Sequence, residues 1–382
     1  MAKRRILLSG YVLIVVLSFE SCRKDIGKFC DCKQDDMMAS VSVFATGLNN
    51  PRGLTFDSDG NLYVAEGGIG GNDSTKCTQV VPPVGPYRGS KTGARILKID
   101  KNGKITTVAE KLPSSQTAPA LGSLVSGVGD VAFIGNTLYG VLAGAGCSHG
   151  VKDIPNGIVK VKSNKDWDLI ANLSEWQMGH PVAKPEEDDF EPDGTWYGMV
   201  SVDGSLYALE PNHGEIVKVN TSGKIDRLID ISASQGHIVP TALAWHDGNF
   251  YVGNLGVFPF TGISNVYKVT PTGHISIVEK GFSAVLGVAF DKAGGMYVLE
   301  NTTGNAQPTP GTGDIIRIDA AGNRRTLVTG LNLPTALEYG PDGNLYVSNW
   351  GFGPPAKGGG QILKIKIDCD RDHHLNWHDL VK

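Results

Sequence analysis

Short runs that alternate apolar and polar residues recur along the whole chain, and pairs of runs are joined by a Gly-bearing turn. Leu333–Asn349 (LPTALEYGPDGNLYVSN) shows the unit, with Ala336–Tyr339 and Leu345–Val347 flanking Pro-Asp-Gly-Asn. Asp-Gly between β-prone runs predicts a hairpin, because Gly supplies the positive φ that a tight turn needs. Six such hairpins align: Pro51–Glu66, Val128–Leu142, Tyr197–Glu210, Pro240–Asn254, Val285–Glu300 and Pro334–Asn349. Most are followed by a loop and a second hairpin, as in Ala94–Val108, Gly214–Ile229, Asn265–Val278 and Asp314–Val328. Each unit therefore reads as four antiparallel strands, a to d, and tandem units of this kind predict a β-propeller. Gln361–Ile367 reads as strand c of the sixth unit, and no strand d follows it. Val41–Leu48, ahead of the first unit, has the pattern of the missing strand. The expected fold is all-β, a six-bladed β-propeller of four-stranded antiparallel blades closed by an N-terminal strand. An open array or a sandwich would leave long edges exposed.

Composition agrees. Fifty glycines and 20 prolines in 382 residues are too many for a helical protein and suit many short strands and turns. Length alone suggests two or three domains, but the repeats override that prior. A net charge of −4 gives no basic surface for nucleic acid.

The N-terminus reads as a targeting segment. Lys3, Arg4 and Arg5 precede an apolar run, Ile6–Phe19, too short for a comfortable membrane span and suited to a signal peptide. The run ends at Phe19-Glu20-Ser21-Cys22, and a small residue before Cys resembles a bacterial lipoprotein box, with Glu20 as a departure. Ser21-Cys22-Arg23-Lys24-Asp25 is similar to lipoproteins of Bacteroidota-type bacteria. The expected organisation is a signal peptide over 1–21, a flexible tether over 22–40 beginning at a lipidated Cys22, the propeller over 41–368 and a tail over 369–382. It places the protein in the cell envelope, at the outer membrane or cell surface, as a monomer that meets the membrane through lipid alone. Plain secretion, with Cys22 removed or idle, is the alternative.

The tandem pattern resembles NHL-type and TolB-like six-bladed propellers. Val43–Gly68, Val239–Phe260, Val266–Val269 and Gly313–Ile318 carry a closer resemblance to ScyD/ScyE-type proteins, named for a scytonemin-pigment gene cluster, over about residues 41–367. The resemblance implies an extracytoplasmic six-bladed propeller and supplies no catalytic residues.

Strand order gives direction to the search for a site. All b–c and d–a connections fall on one side, the loop side, and the short a–b and c–d turns on the other, the turn side. The long connections, Gly67–Gly93, Ala143–Pro155, Trp176–Trp196, Gly253–Ser264, Asn301–Gly313 and Trp350–Gly360, are all loop-side, the usual place for binding. Decorative loops are the competing reading. One strand-a level reads Gly53, Asp130, Gly198, Ala242, Gly287, Ala336, small except for Asp130, whose carboxylate falls in or near the central channel. One step toward the loop side stand Arg52, Gly129, Tyr197, Thr241, Leu286 and Thr335, and Arg52 is the natural counter-charge to Asp130. The loop-side ends of strand b are Glu66, Leu142, Glu210, Asn254, Glu300 and Asn349. Two readings are open for this ring. Its side chains converge on a cation such as Ca2+, with Glu66, Asp130, Glu210 and Glu300 as metal ligands, or each caps its own hairpin.

Other candidates are weaker. His149, His180, His213 and His237 fall in loop-side connections, but no HExxH or paired zinc spacing accompanies them. Glu186–Asp189 reads as a solvated run able to attract a cation. Trp196, Tyr197, Phe258, Phe260, Trp350 and Phe352 suit either a sugar or polyphenol ligand or packing under loops. Cys77 and Cys147, in loops of adjacent blades, are a plausible disulfide, and Cys369 falls within tether reach of Cys30 or Cys32. No Ser-His-Asp order, nucleophile elbow, P-loop or Rossmann fingerprint is present. Three functions follow. The first is non-catalytic binding of a small molecule, carbohydrate or protein on the loop side. The second is a Ca2+-assisted lactonase or esterase with the metal near Asp130. The third is a scaffold for pigment formation or envelope assembly.

Overall fold

The computed structural model describes residues 37–77, 85–117, 124–185, 191–257, 262–353 and 357–369. They form six antiparallel sheets. The inner strands are Pro51–Phe56, Val128–Ile134, Gly198–Val202, Pro240–His246, Val285–Phe290 and Ala336–Tyr339. Each packs against the inner strands on both sides of it, and the first packs against the last, so the sheets stand as blades around one axis. The hairpins have the register expected of the repeat, for example Leu337 opposite Val347 and Tyr339 opposite Leu345. Their turns are set by Gly60 and Gly343 at φ 77° and 80°. Asp57 Oδ1 accepts the Asn61 N–H at 2.8 Å, the side-chain closure that favours Asp in such turns.

The ring closes through the N-terminal strand. Met37–Leu48 lies antiparallel to Gly360–Cys369 as the outermost strand of the last blade, with Met37 opposite Cys369 and Leu48 opposite Gly360. It begins at Met37 rather than at Val41. Two side-chain bonds tie the same blade to the first: Ser348 Oγ donates to Arg52 O at 2.6 Å and Thr335 Oγ1 to Pro51 O at 2.7 Å.

The apolar core is divided into six seams between neighbouring blades. Leu48 and Ala45 of the closing strand enter the seam between last and first blades, with Leu54, Leu62, Val64, Leu97, Ile99, Tyr346 and Ile362. Burial of one such Leu or Ile is worth about 1.5–3 kcal/mol, so each seam is a large part of a marginal total.

Two stretches read as loops carry regular structure. The third and fourth strands of blade one, Arg88–Ile99 and Ile105–Gln116, run past the body on the loop side, where Val125–Ser126 adds a fifth strand. The connection after blade two begins with a helix, Leu173–Gly179, whose N-cap Asn172 accepts the Glu175 N–H at 3.0 Å. Cys22, Cys30 and Cys32 lie outside the described residues, as do the histidines of the C-terminal tail.

A chain lacking Met37–Leu48 leaves Gly360–Cys369 as an open edge and strips Leu48 from its seam. It is expected to aggregate or to melt well below the full chain in scattering and calorimetry. A monomer with an unchanged melting curve would contradict the closure.

Candidate functional site

The loop-side ends of strand b do not converge. Each of the five polar ones is occupied within its own blade or the turn that enters it. Glu66 Oε1 accepts the Asn49 N–H at 2.8 Å, Glu210 Oε1 the Thr195 N–H at 2.8 Å and Glu300 Oε1 the Ser283 N–H at 2.6 Å. Asn349 Oδ1 accepts the Asn332 N–H at 2.8 Å, while Asn254 donates to Ile238 O at 2.8 Å and accepts the Asn265 N–H at 2.6 Å. All of these backbone groups but Asn265 belong to the turn that enters the same blade. The capping reading holds for this ring, and no joint cation site forms from it. Glu66 is further engaged by Arg95 Nε at 2.5 Å, and burial still holds its carboxyl above the usual range against that partner. Burial also pushes Glu210 upward, but His213 beside it and the backbone donors outweigh this and bring the carboxyl below the usual range. Glu300 is pushed up to about 7 by burial. Among the described residues no group of three or more His, Cys, Asp or Glu stands together to hold a metal ion.

Arg52 and Tyr197 do meet, but away from Asp130. The Arg52 guanidinium donates to Val125 O at 2.5 Å and to Tyr197 Oη at 3.3 Å. Its carbon lies 5.6 Å from the Tyr197 ring centre and 5.8 Å from that of Phe352. Tyr197 and Phe352 pack in turn with Leu286, Leu333, Leu124, Leu255 and Trp350. These contacts join the first, third, fourth, fifth and sixth blades across the axis and stopper the channel on the loop side. Arg52 forms no ion pair with Asp130, so its expected role as counter-charge is replaced by this one. The guanidinium is drawn to aromatic faces and a carbonyl instead.

Beneath the stopper a channel of about 500 Å³ runs along the axis between the inner strands. Burial falls from the loop side to the turn side along four of these strands, in the first, second, fourth and fifth blades: Pro51–Phe56 is buried over its first four residues and half-buried at Thr55 and Phe56. Pro240–His246 is buried over its first three and half-buried from Leu243 onward. Solvent therefore reaches the channel from the turn side. Asp130 lies in it. Its Oδ1 accepts the Val131 N–H at 2.8 Å and its Oδ2 the Met199 N–H of the next blade at 2.9 Å. A Cβ on Gly53 would stand 1.8 Å from Asp130 Oδ1, so the carboxyl occupies space that Gly53 leaves free.

Glu338 is a second channel carboxyl that the sequence reading missed. It belongs to the next level of the same strands, with Thr55, Ala132, Val200, Ala244 and Ala289, and makes no hydrogen bond or ion pair among the described residues. The signal was present as one acid in an otherwise uncharged level. Desolvation pushes Asp130 up to about 7, and desolvation together with the nearby Asp130 charge pushes Glu338 up to about 8. Of the lining residues none is Lys or Arg. At the turn side the mouth carries Phe56, Phe133, Trp245, Phe290 and Tyr339, one each from five blades, all half-buried, with Ser201 in the sixth position.

Elsewhere on the loop side a Ser–His–Glu chain is present. Ser115 Oγ lies 2.6 Å from His149 Nδ1, and His149 Nε2 lies 2.7 Å from Glu191 Oε2. Ser115 and His149 are 0% exposed and Glu191 1%, so no substrate reaches the hydroxyl, and the chain ties blade one to the connections that follow it. Cys77 and Cys147 form a disulfide nearby, with Cα atoms 5.8 Å apart. His180 stacks on Trp176, and Trp196 is fully buried. Phe258, Phe260 and Glu186–Asp189 lie outside the described residues.

Two predictions follow from these environments. Glu300→Ala leaves the buried Ser283 N–H without an acceptor and should cost about 1–3 kcal/mol in denaturant unfolding, whereas Glu300→Gln keeps an acceptor and should cost less. Glu338 should govern part of the pH dependence of stability. With a folded value of about 8 against an ordinary 4.5, the folded chain binds the extra proton between those limits, so stability falls as pH rises through that window. Glu338→Gln should melt like the parent near pH 4 and at least about 2 °C above it near pH 9 in calorimetry. An unchanged slope with pH would contradict the assignment.

No protein-family model matches the chain, and no curated protein matches it. Solved structures do. A protein of unknown function from Bacteroides thetaiotaomicron superposes with a TM-score of 0.54 at 14% identity, covering 87% of this chain and 76% of its own. A gluconolactonase from Xanthomonas campestris superposes with a TM-score of 0.52 at 10% identity, covering 86% and 90%. At these identities the similarity concerns the fold alone, and the chain is a six-bladed β-propeller.

Proposed function

We propose that the protein is a lipid-anchored, extracytoplasmic binding module of the ScyD/ScyE type, monomeric and non-catalytic, whose ligand site is the central channel. The observation that supports this best is the channel itself, stoppered by Arg52 and its aromatic partners and open past five aromatic residues on the turn side. The carboxyl and amide groups suited to a metal-assisted hydrolase are spent on capping, which removes the main argument for that alternative. The loop side, with its long connections, remains available as a surface for a carbohydrate or protein partner.

The anchor is read from Ser21-Cys22 behind the apolar run Ile6–Phe19. No helix among the described residues is long and apolar enough to cross a membrane. A single acyl chain anchors weakly, so retention would rest on the several chains of a bacterial lipoprotein. Cys22→Ala should release the protein from membranes or leave the precursor uncleaved. An unchanged membrane fraction together with an unchanged intact mass would refute lipidation at Cys22.

A further inference from the structure

We infer that the channel takes a small organic cation, a protonated amine or quaternary ammonium group, which enters through the aromatic mouth and sets its charge beside Glu338. The inference rests on the channel being the binding site and names the class of ligand.

Three features carry it. The first is charge. The channel holds two carboxyls and no Lys or Arg, which disfavours an anion and leaves a cation as the natural complement. Asp130 is already satisfied by two backbone donors, whereas half-buried Glu338 has no protein donor among the described residues and is open to one from a ligand N–H. The second is the mouth, which five half-buried aromatic residues line from the seams between blades, and aromatic rings attract organic cations more than neutral solutes of the same shape. The third is rigidity. Each mouth ring is braced by another ring: Phe56 by Tyr346 at 5.0 Å, Phe133 by Tyr63 at 4.9 Å and Trp245 by Phe250 at 4.6 Å. Phe290 is stacked on His246 at 4.1 Å, and Tyr339 on Tyr297 at 6.2 Å. A collar held in this way loses little freedom when a ligand enters. The volume of about 500 Å³ fits a compact molecule rather than a chain segment.

Binding should be linked to protons. The titratable groups lining the channel are Asp130 from the second blade, Tyr197 from the third, His246 from the fourth, and Glu338 and Tyr339 from the sixth. Tyr346, opposite Glu338 on the neighbouring strand, has its hydroxyl committed to Asp342. Glu338 and Asp130 are the groups whose ionisation a cation would favour. The cation stabilises the carboxylate, so an acid largely protonated in the empty channel at pH 7 gives up its proton on binding.

Titration calorimetry on the mature protein in non-ionic detergent tests this with phenethylammonium and tetramethylammonium. Controls are 2-phenylethanol, glucose, gluconate and Ca2+. Both organic cations should bind. The neutral isostere 2-phenylethanol should bind at least tenfold more weakly than phenethylammonium. Measurements at pH 7 in buffers of different ionisation enthalpy should show proton release on cation binding. Glu338→Gln should weaken cation binding at least tenfold and abolish most of that release, and Trp245→Ala should weaken binding of tetramethylammonium. Glu338→Gln retains the volume of the side chain, and an unchanged far-UV spectrum separates lost binding from lost fold. Glucose, gluconate or Ca2+ binding in the channel while the organic cations do not would overturn the cation class and leave the channel as the site. Absence of binding by every probe would overturn both. Cation binding untouched by Glu338→Gln would overturn the placement of the charge.

Discussion

Closure of the ring is the constraint on which the other features depend. Six inner strands must pass one axis, and at the level of Gly53 they come so close that only Gly and Ala fit, with one exception. Asp130 is accommodated because Gly53 lacks a side chain and because two backbone N–H groups, one from the next blade, receive its oxygens. Both conditions hold only while the blades keep their spacing. That spacing is set at the join, where Met37–Leu48 supplies the last blade's outer strand and Ser348 and Thr335 bond to the first blade's backbone. The channel and its two carboxyls are thus products of the closure.

Closure also requires the chain to return from the rim of each blade to the axis, and this explains the strand-b ring. Asn50, Val239 and Ala284, each directly before an inner strand, and Leu333, three residues before one, have φ of 51°, 53°, 49° and 43°. Such values strain residues other than Gly, and Val most of all. In the same four blades the strand-b end is Glu66, Asn254, Glu300 or Asn349, and its side chain bonds the backbone next to the strained residue. Blade two is the control. Its strand-b end is Leu142, whose apolar side chain offers no hydrogen bond, and no residue from 124 to 127 has positive φ. Glu and Asn alternate freely at the ring because the turn needs an acceptor or an amide there and no charge. A ring selected for turns is therefore a poor guide to a metal site, however many oxygens it presents.

The sequence showed the hairpins, their number and the closing strand, because Asp-Gly turns and the two-residue period are local signals. Strands Arg88–Ile99 and Ile105–Gln116 extend beyond what their pattern suggests, since Gly89-Ser90-Lys91-Thr92-Gly93 has the composition of a loop. The site was legible in part. Asp130 stood out against one level of small residues, and comparison of the next level would have exposed Glu338 by the same logic. The fate of Arg52 was not legible. Its partners Tyr197 and Phe352 come from the third and sixth blades, and its choice of rings over a carboxylate depends on distances that only the assembled ring defines.

The same topology places the closing strand's first residue and the channel mouth relative to one another. A fourth strand runs from the turn side to the loop side, so a chain that contributes this strand from its N-terminus must approach from the turn side. Met37 stands at that end and Leu48 at the loop end, opposite Gly360 where the last blade's third strand begins. The stopper of Arg52, Tyr197 and Phe352 closes the opposite end of the channel. Mouth and Met37 therefore share a face. An anchor at Cys22 would hold that face within about 50 Å of its membrane, the reach of the intervening residues at full extension. A ligand would then have to diffuse into the gap between membrane and propeller. The long loop-side connections would face the opposite way, toward partners that never compete with it.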